Sequence, residues 1–100
     1  MRKVYVIQSN QIMPEFGVER QYHGMIDFAF SSFKKANDQM DVIHRMVDEG
    51  KFYTRGNHEV AFDKSFDDDR LNRVLRINHS NGTFTIYSIH SVCLNLGYGI

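Results

Sequence analysis

Apolar positions along the chain recur with two different periods, and the switches between them mark out strands and one helix. The chain opens with Val4, Tyr5, Val6 and Ile7, a short run rich in β-branched and aromatic residues that predicts a strand over Lys3–Gln8. Being apolar on both faces, this run predicts an inner place in the sheet. Ser9–Gly24 carries Pro14, Gly17 and Gly24 and predicts a long loop or ribbon, a candidate binding surface, within which Val18–Tyr22 could form a strand. Ile26, Phe28 and Phe30 alternate and predict a second strand. From there the period lengthens. Phe33, Ala36, Met40, Ile43 and Val47 follow at steps of three, four, three and four, one stripe of an amphipathic helix over Ser32–Asp48. Ser31 and Ser32 offer N-caps, and Gly50 offers a left-handed stop. A single helix from Met25 to Glu49 is the rival reading, because Ile26, Ala29 and Phe30 also fit the helical period.

Lys51–Phe62 predicts a further strand interrupted at Gly56, and Asp63–Asp69 a polar turn. Asn81-Gly82 is the dipeptide that most favours a two-residue hairpin turn. With those two residues as the turn, His79 faces Phe84, Ile77 faces Ile86, Leu75 faces Ser88 and Leu71 faces Val92. That register gathers Leu71, Leu75, Ile77, Phe84, Ile86 and Val92 on one face and places Arg76 beside Tyr87 on the other. Val74 and Ile89 are out of keeping with it. Leu94, Leu96, Tyr98 and Ile100 continue the parity as an apolar end lying across the domain, or as an arm that adds to a partner. The expected fold is α+β: one domain over residues 1–100, with a mainly antiparallel sheet of four or five strands and one amphipathic helix packed on one face.

Composition narrows the function classes. Twelve basic residues balance twelve acidic ones, which argues against general nucleic-acid binding and leaves little charge to oppose self-association. The single Cys93 forms no internal disulfide and no Cys-pair zinc site; a small buried side chain is its expected state, and a cytoplasmic location fits. The apolar run at the N-terminus is too short for a signal peptide or a membrane span.

Gly56-Asn57-His58-Glu59 resembles the GNHE signature of calcineurin-like metallophosphoesterases, where the Asn and His ligate metal ions. The other motifs of that two-metal centre, an upstream DxH and GDxxD and a downstream GHxH, do not occur, and Gly56-Asn57 reads as a bend or bulge in a strand. The five histidines, His23, His44, His58, His79 and His90, contain no i, i+4 pair on one helix, so no metal site and no cofactor is expected. No nucleophile elbow, phosphate loop or dinucleotide fingerprint is present, and no catalytic residue is expected. Arg55, His58, Arg76 and Tyr87 are the candidate binding residues, able to meet a phosphate, a carboxylate or an acidic side chain.

The KVYVI opening strand, the Phe30-Ser31-Ser32-Phe33-Lys34-Lys35-Ala36 string at the start of the helix and the closing hairpin together resemble small accessory proteins of tailed phages. That resemblance implies a non-enzymatic effector that binds a host factor. The leading expectation is a non-catalytic, oligomeric protein-binding module that inhibits a partner by occluding its surface. The alternatives are a protein that sequesters a small ligand or nucleotide, and a metal-dependent phosphoesterase.

Overall fold

A computed structural model describes residues 2–15, 18–52, 56–66 and 71–94. In chain order they form β1 (Arg2–Glu15), β2 (Val18–Phe30), α1 (Phe33–Asp48), β3 (His58–Ser65), β4 (Leu71–His79) and β5 (Phe84–Leu94). The five strands make one antiparallel sheet in the order β2-β1-β5-β4-β3, with the helix on one face. The α+β fold is as the periodicities predict, and β1 is an inner strand. Among the described residues, no helix is long and apolar enough to cross a membrane.

The helix is set by its own sequence. Ser32 is the N-cap, its hydroxyl accepting from the Lys35 amide at 3.3 Å. At the other end the Gly50 amide bonds to the Val47 carbonyl and the Lys51 amide to the Met46 carbonyl, the double closure that a left-handed Gly50 (φ 69°) permits. Ala36, Met40, Ile43 and Val47 of the predicted stripe are buried against Ile7, Leu75, Ile77, Tyr87 and Ile89, with Tyr5, Phe30, Phe52 and Val60 packed around them. Phe33, the first residue of the stripe, stays at the margin, edge-on to the Tyr5 ring at 6.0 Å.

Three expectations are settled in detail. The first is Ser9–Gly24, most of which is the ribbon and not the loop: β1 continues to Glu15 and pairs with β2 from Val18 onward. Pro14 is tolerated because β1 has only β2 beside it at that end, its pairing with β5 stopping at Ile12. Fourteen residues in β1 span about 46 Å at roughly 3.3 Å each, which accounts for the molecule's long axis of 46 Å. A bulge at Asp27 then breaks the alternation in β2. Phe28 and Phe30 pair with Ile7 and Tyr5 on the helix side, whereas Ile26 pairs with Gln8 on the other.

The second, a correction, is the closing hairpin, which is offset by one residue from the predicted register. The Gly82 amide bonds to the His79 carbonyl and the His79 amide to the Thr83 carbonyl, so Ser80-Asn81-Gly82 forms a three-residue loop with Gly82 at φ 88°. The Asn81 side chain holds it by accepting from the Thr83 amide at 3.1 Å and the Thr83 hydroxyl at 2.6 Å. The extra residue pairs Leu75 with Tyr87, Arg76 with Ile86 and Asn78 with Phe84. Tyr87 and Ile89 therefore enter the core, and Phe84 and Ile86 leave for the opposite face.

The third is β3, which begins at His58 and runs to Ser65, taking in Asp63, which was expected in a turn. Residues 53–55, 67–70 and 95–100, including the predicted acidic turn and the apolar tail beyond Leu94, lie outside the described residues.

Candidate functional site

Two places on the fold gather chemistry: the sheet face opposite the helix, and a corner where β3 meets the end of β4.

The helix-free face follows from the register. Val4, Val6 and Ile12 of β1, Ile26 and Ala29 of β2, Val74 of β4, and Phe84, Ile86 and Val92 of β5 all fall on it. A sheet covered on one side only is expected to be polar on the other. This one is mixed: Gln8, Asn10, Arg76, Asn78, Ser88 and His90 share the face with those apolar side chains. Near the β4 end Arg76 lies over the Phe84 ring at 3.7 Å, and the ring is 5% exposed. Nearer β2 the apolar surface is open: Ile26 is 66% exposed and Val92 40%. Between them lies a groove of about 740 Å³ lined by Val6, Gln8, Ile26, His90 and Val92, with Lys3, Ser91 and Cys93 at its end. His90 Nε2 bonds to the Ser88 hydroxyl at 2.7 Å, and burial holds this imidazole below its ordinary pKa, so it is neutral at neutral pH. The groove thus carries one cation, Lys3, among apolar and neutral groups. Cys93, the next-to-last residue of β5, is exposed, where the sequence predicts a buried thiol.

The second place is built by the pairing of His58 with His79. Their Nδ1 atoms are 2.7 Å apart, and the rings meet at 75° with centroids 4.9 Å apart. His79 Nε2 lies 2.7 Å from the Thr85 hydroxyl. The row Thr85–His79–His58 carries its protons in either direction, since a hydroxyl both donates and accepts and each neutral imidazole does one of each. Burial first, and the neighbouring His58 second, hold His79 below its ordinary pKa. Gly56 turns the chain into β3 at φ 81°, where a Cβ would come within 2.8 Å of the Ser80 hydroxyl. The bend expected at Gly56-Asn57 is therefore the feature that delivers His58 to His79. Grooves of about 440 and 180 Å³ flank the pair, the first lined by Asn57, Asn78 and Ser80, the second by Asp48 and Asn57.

Of the residues singled out from the sequence, Arg55 lies outside the described ones. His58, Arg76 and Tyr87 are not brought together. Arg76 stacks on Phe84 on the helix-free face, while Tyr87 lies in the core, edge-on to Phe52 at 6.0 Å. The one-residue offset of the hairpin separates them, because neighbouring registers exchange faces. Sequence reasoning also missed the strongest ionic cluster. Arg73 bonds through Nε to Asp63 at 2.8 Å and through Nη1 to the Asn37 side chain at 2.7 Å and to Asp41 at 2.7 Å, while His44 Nδ1 donates to Asp63 at 2.7 Å. This cluster ties α1 to β3 and β4 and is structural.

Comparison with known proteins found no family model, no curated protein and no solved structure that matches this chain.

Proposed function

We propose that the protein is a non-catalytic binding module that docks its helix-free sheet face onto an apolar, uncharged strip of a partner protein and so occludes it. One observation supports this reading: a sheet already covered by its helix carries an apolar patch on its other face, open at Ile26 and Val92. Contiguous apolar surface of that kind is characteristic of interaction sites. The near absence of charge in the groove favours an apolar partner surface over an acidic or basic one. A host protein bound in the cytoplasm by a phage accessory inhibitor is the partner class that the resemblance of the KVYVI strand and the helix start supports. A second copy of this chain is the other occupant that the zero net charge allows.

Affinity capture with the full chain, alongside Ile26→Asp, tests the reading. The supporting result is a protein recovered by the wild-type chain and lost with the variant, which then binds as a purified component with the same dependence. Recovery unchanged by Ile26→Asp, or no partner in either arm together with a monomeric mass in solution, refutes it. The ligand-sequestering alternative is not favoured within one chain, where Arg76 and Tyr87 lie on opposite faces of the sheet.

A further inference from the structure

The outer edge of β2 carries an inference independent of the docking reading. We propose that two copies of this chain join β2 to β2, antiparallel about a two-fold axis at Met25, into one continuous sheet with both helices on the same face.

The two edges of the sheet differ in what they expose. β2 and β3 are its edge strands, each with a row of backbone N–H and C=O groups that no other described strand takes up. Such a row templates pairing with another chain unless the edge is short, carries Lys or Pro, or exposes only polar side chains. β3 is protected in this way: it has eight residues, includes Lys64, and exposes no large apolar side chain. β2 is not. It has thirteen residues and neither Lys nor Pro. Apolar side chains stand exposed on both of its faces, Ile26 at 66% on the helix-free side and Phe28 at 42% on the helix side. A docked surface covers one face, whereas a further strand meets side chains on both.

Bulges turn an edge away from most partner strands, and here they identify the one that fits. The pairing of β2 with β1 skips Asp27, between Ile26 and Phe28, and His23, between Tyr22 and Gly24. The two bulges stand two residues to either side of Met25, so the edge is palindromic in shape. Antiparallel self-pairing centred on Met25 sets bulge against bulge, and beyond the bulges the faces agree. Gly24 and Ile26, brought level, both belong to the helix-free face, since they pair with Asn10 and Gln8 of β1. Tyr22 and Phe28 both belong to the helix face, opposite Gln11 and Ile7. A shift of one residue would set the two faces against each other. The positions brought level are also complementary in chemistry: His23 with Asp27, aromatic Tyr22 with aromatic Phe28, and Ile26 with a glycine. The chain carries no net charge to oppose association at long range. Arg20–Phe30 makes about 36 Å of edge at roughly 3.3 Å per residue, and a sheet about 10 Å deep then covers about 360 Å² on each copy. That falls among the small, transient interfaces, so the dimer is reversible.

Sedimentation equilibrium of the full chain, from low micromolar concentration to about 1 mM, tests the proposal. The expected result is exchange between the 11.7 kDa chain and twice that mass. A mixture of ¹³C-labelled and unlabelled chains then shows nuclear Overhauser contacts between copies from Met25 to Met25 and from Phe28 to Tyr22. Phe28→Lys weakens dimerisation about tenfold, because two aromatic pairs are lost. Adding Tyr22→Glu to the same chain recovers most of that loss, since the two positions meet twice in the dimer. Glu59→Lys on the other edge and Val92→Asp in the helix-free groove leave dimerisation unchanged, and the second separates edge pairing from docking through the face. Circular dichroism confirms that each variant is folded, and the contacts between wild-type copies need no variant. A monomer at every concentration, contacts between copies that omit Met25, a Phe28→Lys chain that dimerises like the wild type, or a dimer abolished by Val92→Asp overturns the proposal.

Discussion

Replacing Arg73 by Met is the sharpest test of how the helix is fastened to the sheet. Arg73 points towards the helix, is 6% exposed, and meets Asp63, Asp41 and Asn37 at once. Met fills much of the aliphatic volume but removes the charge, leaving Asp63 partly buried with only His44 as a partner. Breaking one side of a buried ion pair costs about 3–5 kcal/mol, and the remaining His44 contact argues for the lower end, about 3 kcal/mol. For a domain of this size that lowers the melting temperature by about 12–24 °C. Chemical denaturation with an unchanged m-value measures it. Arg73→Met combined with Asp63→Leu recovers at least about 1 kcal/mol relative to the sum of the single losses, because no charge is then stranded. The acid limb supplies a second readout. Burial acts to raise the Asp63 carboxyl, but hydrogen bonds and charge from Arg73 and His44 outweigh it and hold the group below its ordinary 3.8. The folded state therefore binds fewer protons than the unfolded one. This stability is fully present above pH 3.8 and is lost as pH falls through the lower folded value. Arg73→Met flattens that loss. A cost under about 1 kcal/mol, or strict additivity of the two substitutions, refutes the reasoning.

Further predictions concern the core, the bend and the histidines. Met40 is fully buried, so Met40→Ala costs about 2–5 kcal/mol in urea unfolding. Gly56→Ala places a Cβ at positive φ and 2.8 Å from the Ser80 hydroxyl, costing about 1–2 kcal/mol and disturbing the His58–His79 contact in side-chain nuclear magnetic resonance spectra. Burial holds the folded pKa values of His79 and His90 below the ordinary 6.5, so their contribution is present above pH 6.5 and declines as pH falls through the lower folded values. The chain is accordingly less stable at pH 5 than at pH 7.5, and His79→Gln with His90→Gln reduces that difference in denaturation curves.

The helix was legible in the sequence almost to the residue, because its stripe, its Ser32 cap and its Gly50 stop are local signals that agree with one another. The hairpin was legible as an element but not in register. Asn81-Gly82 satisfies a two-residue turn in isolation, yet the Asn81 side chain bonds to Thr83 and selects the three-residue loop. The misfit of Ile89 in the predicted register was the available signal, since shifting by one residue brings that side chain into the core. The long ribbon was legible only as an alternative to a loop, because Gly24 and Pro14 read as breakers, although two paired strands tolerate both where one edge is free. At the candidate sites the difficulty is distance along the chain. His58 and His79 are 21 residues apart, and Arg73 and Asn37 are 36 apart, so only the pairing of strands and the packing of the helix bring them together.

Docking as proposed requires the helix-free face of the sheet to be the open one. Relaxation of isoleucine methyl groups by a soluble paramagnetic agent, measured on the dilute chain, reads this directly. Ile26 should relax fast and Ile7, Ile77 and Ile89 slowly, since the first is 66% exposed and the others are fully buried. Addition of the captured partner, or concentration of the chain itself, should then slow Ile26 selectively. An Ile89 methyl as accessible as Ile26, or an Ile26 that stays accessible with a partner bound, would contradict it.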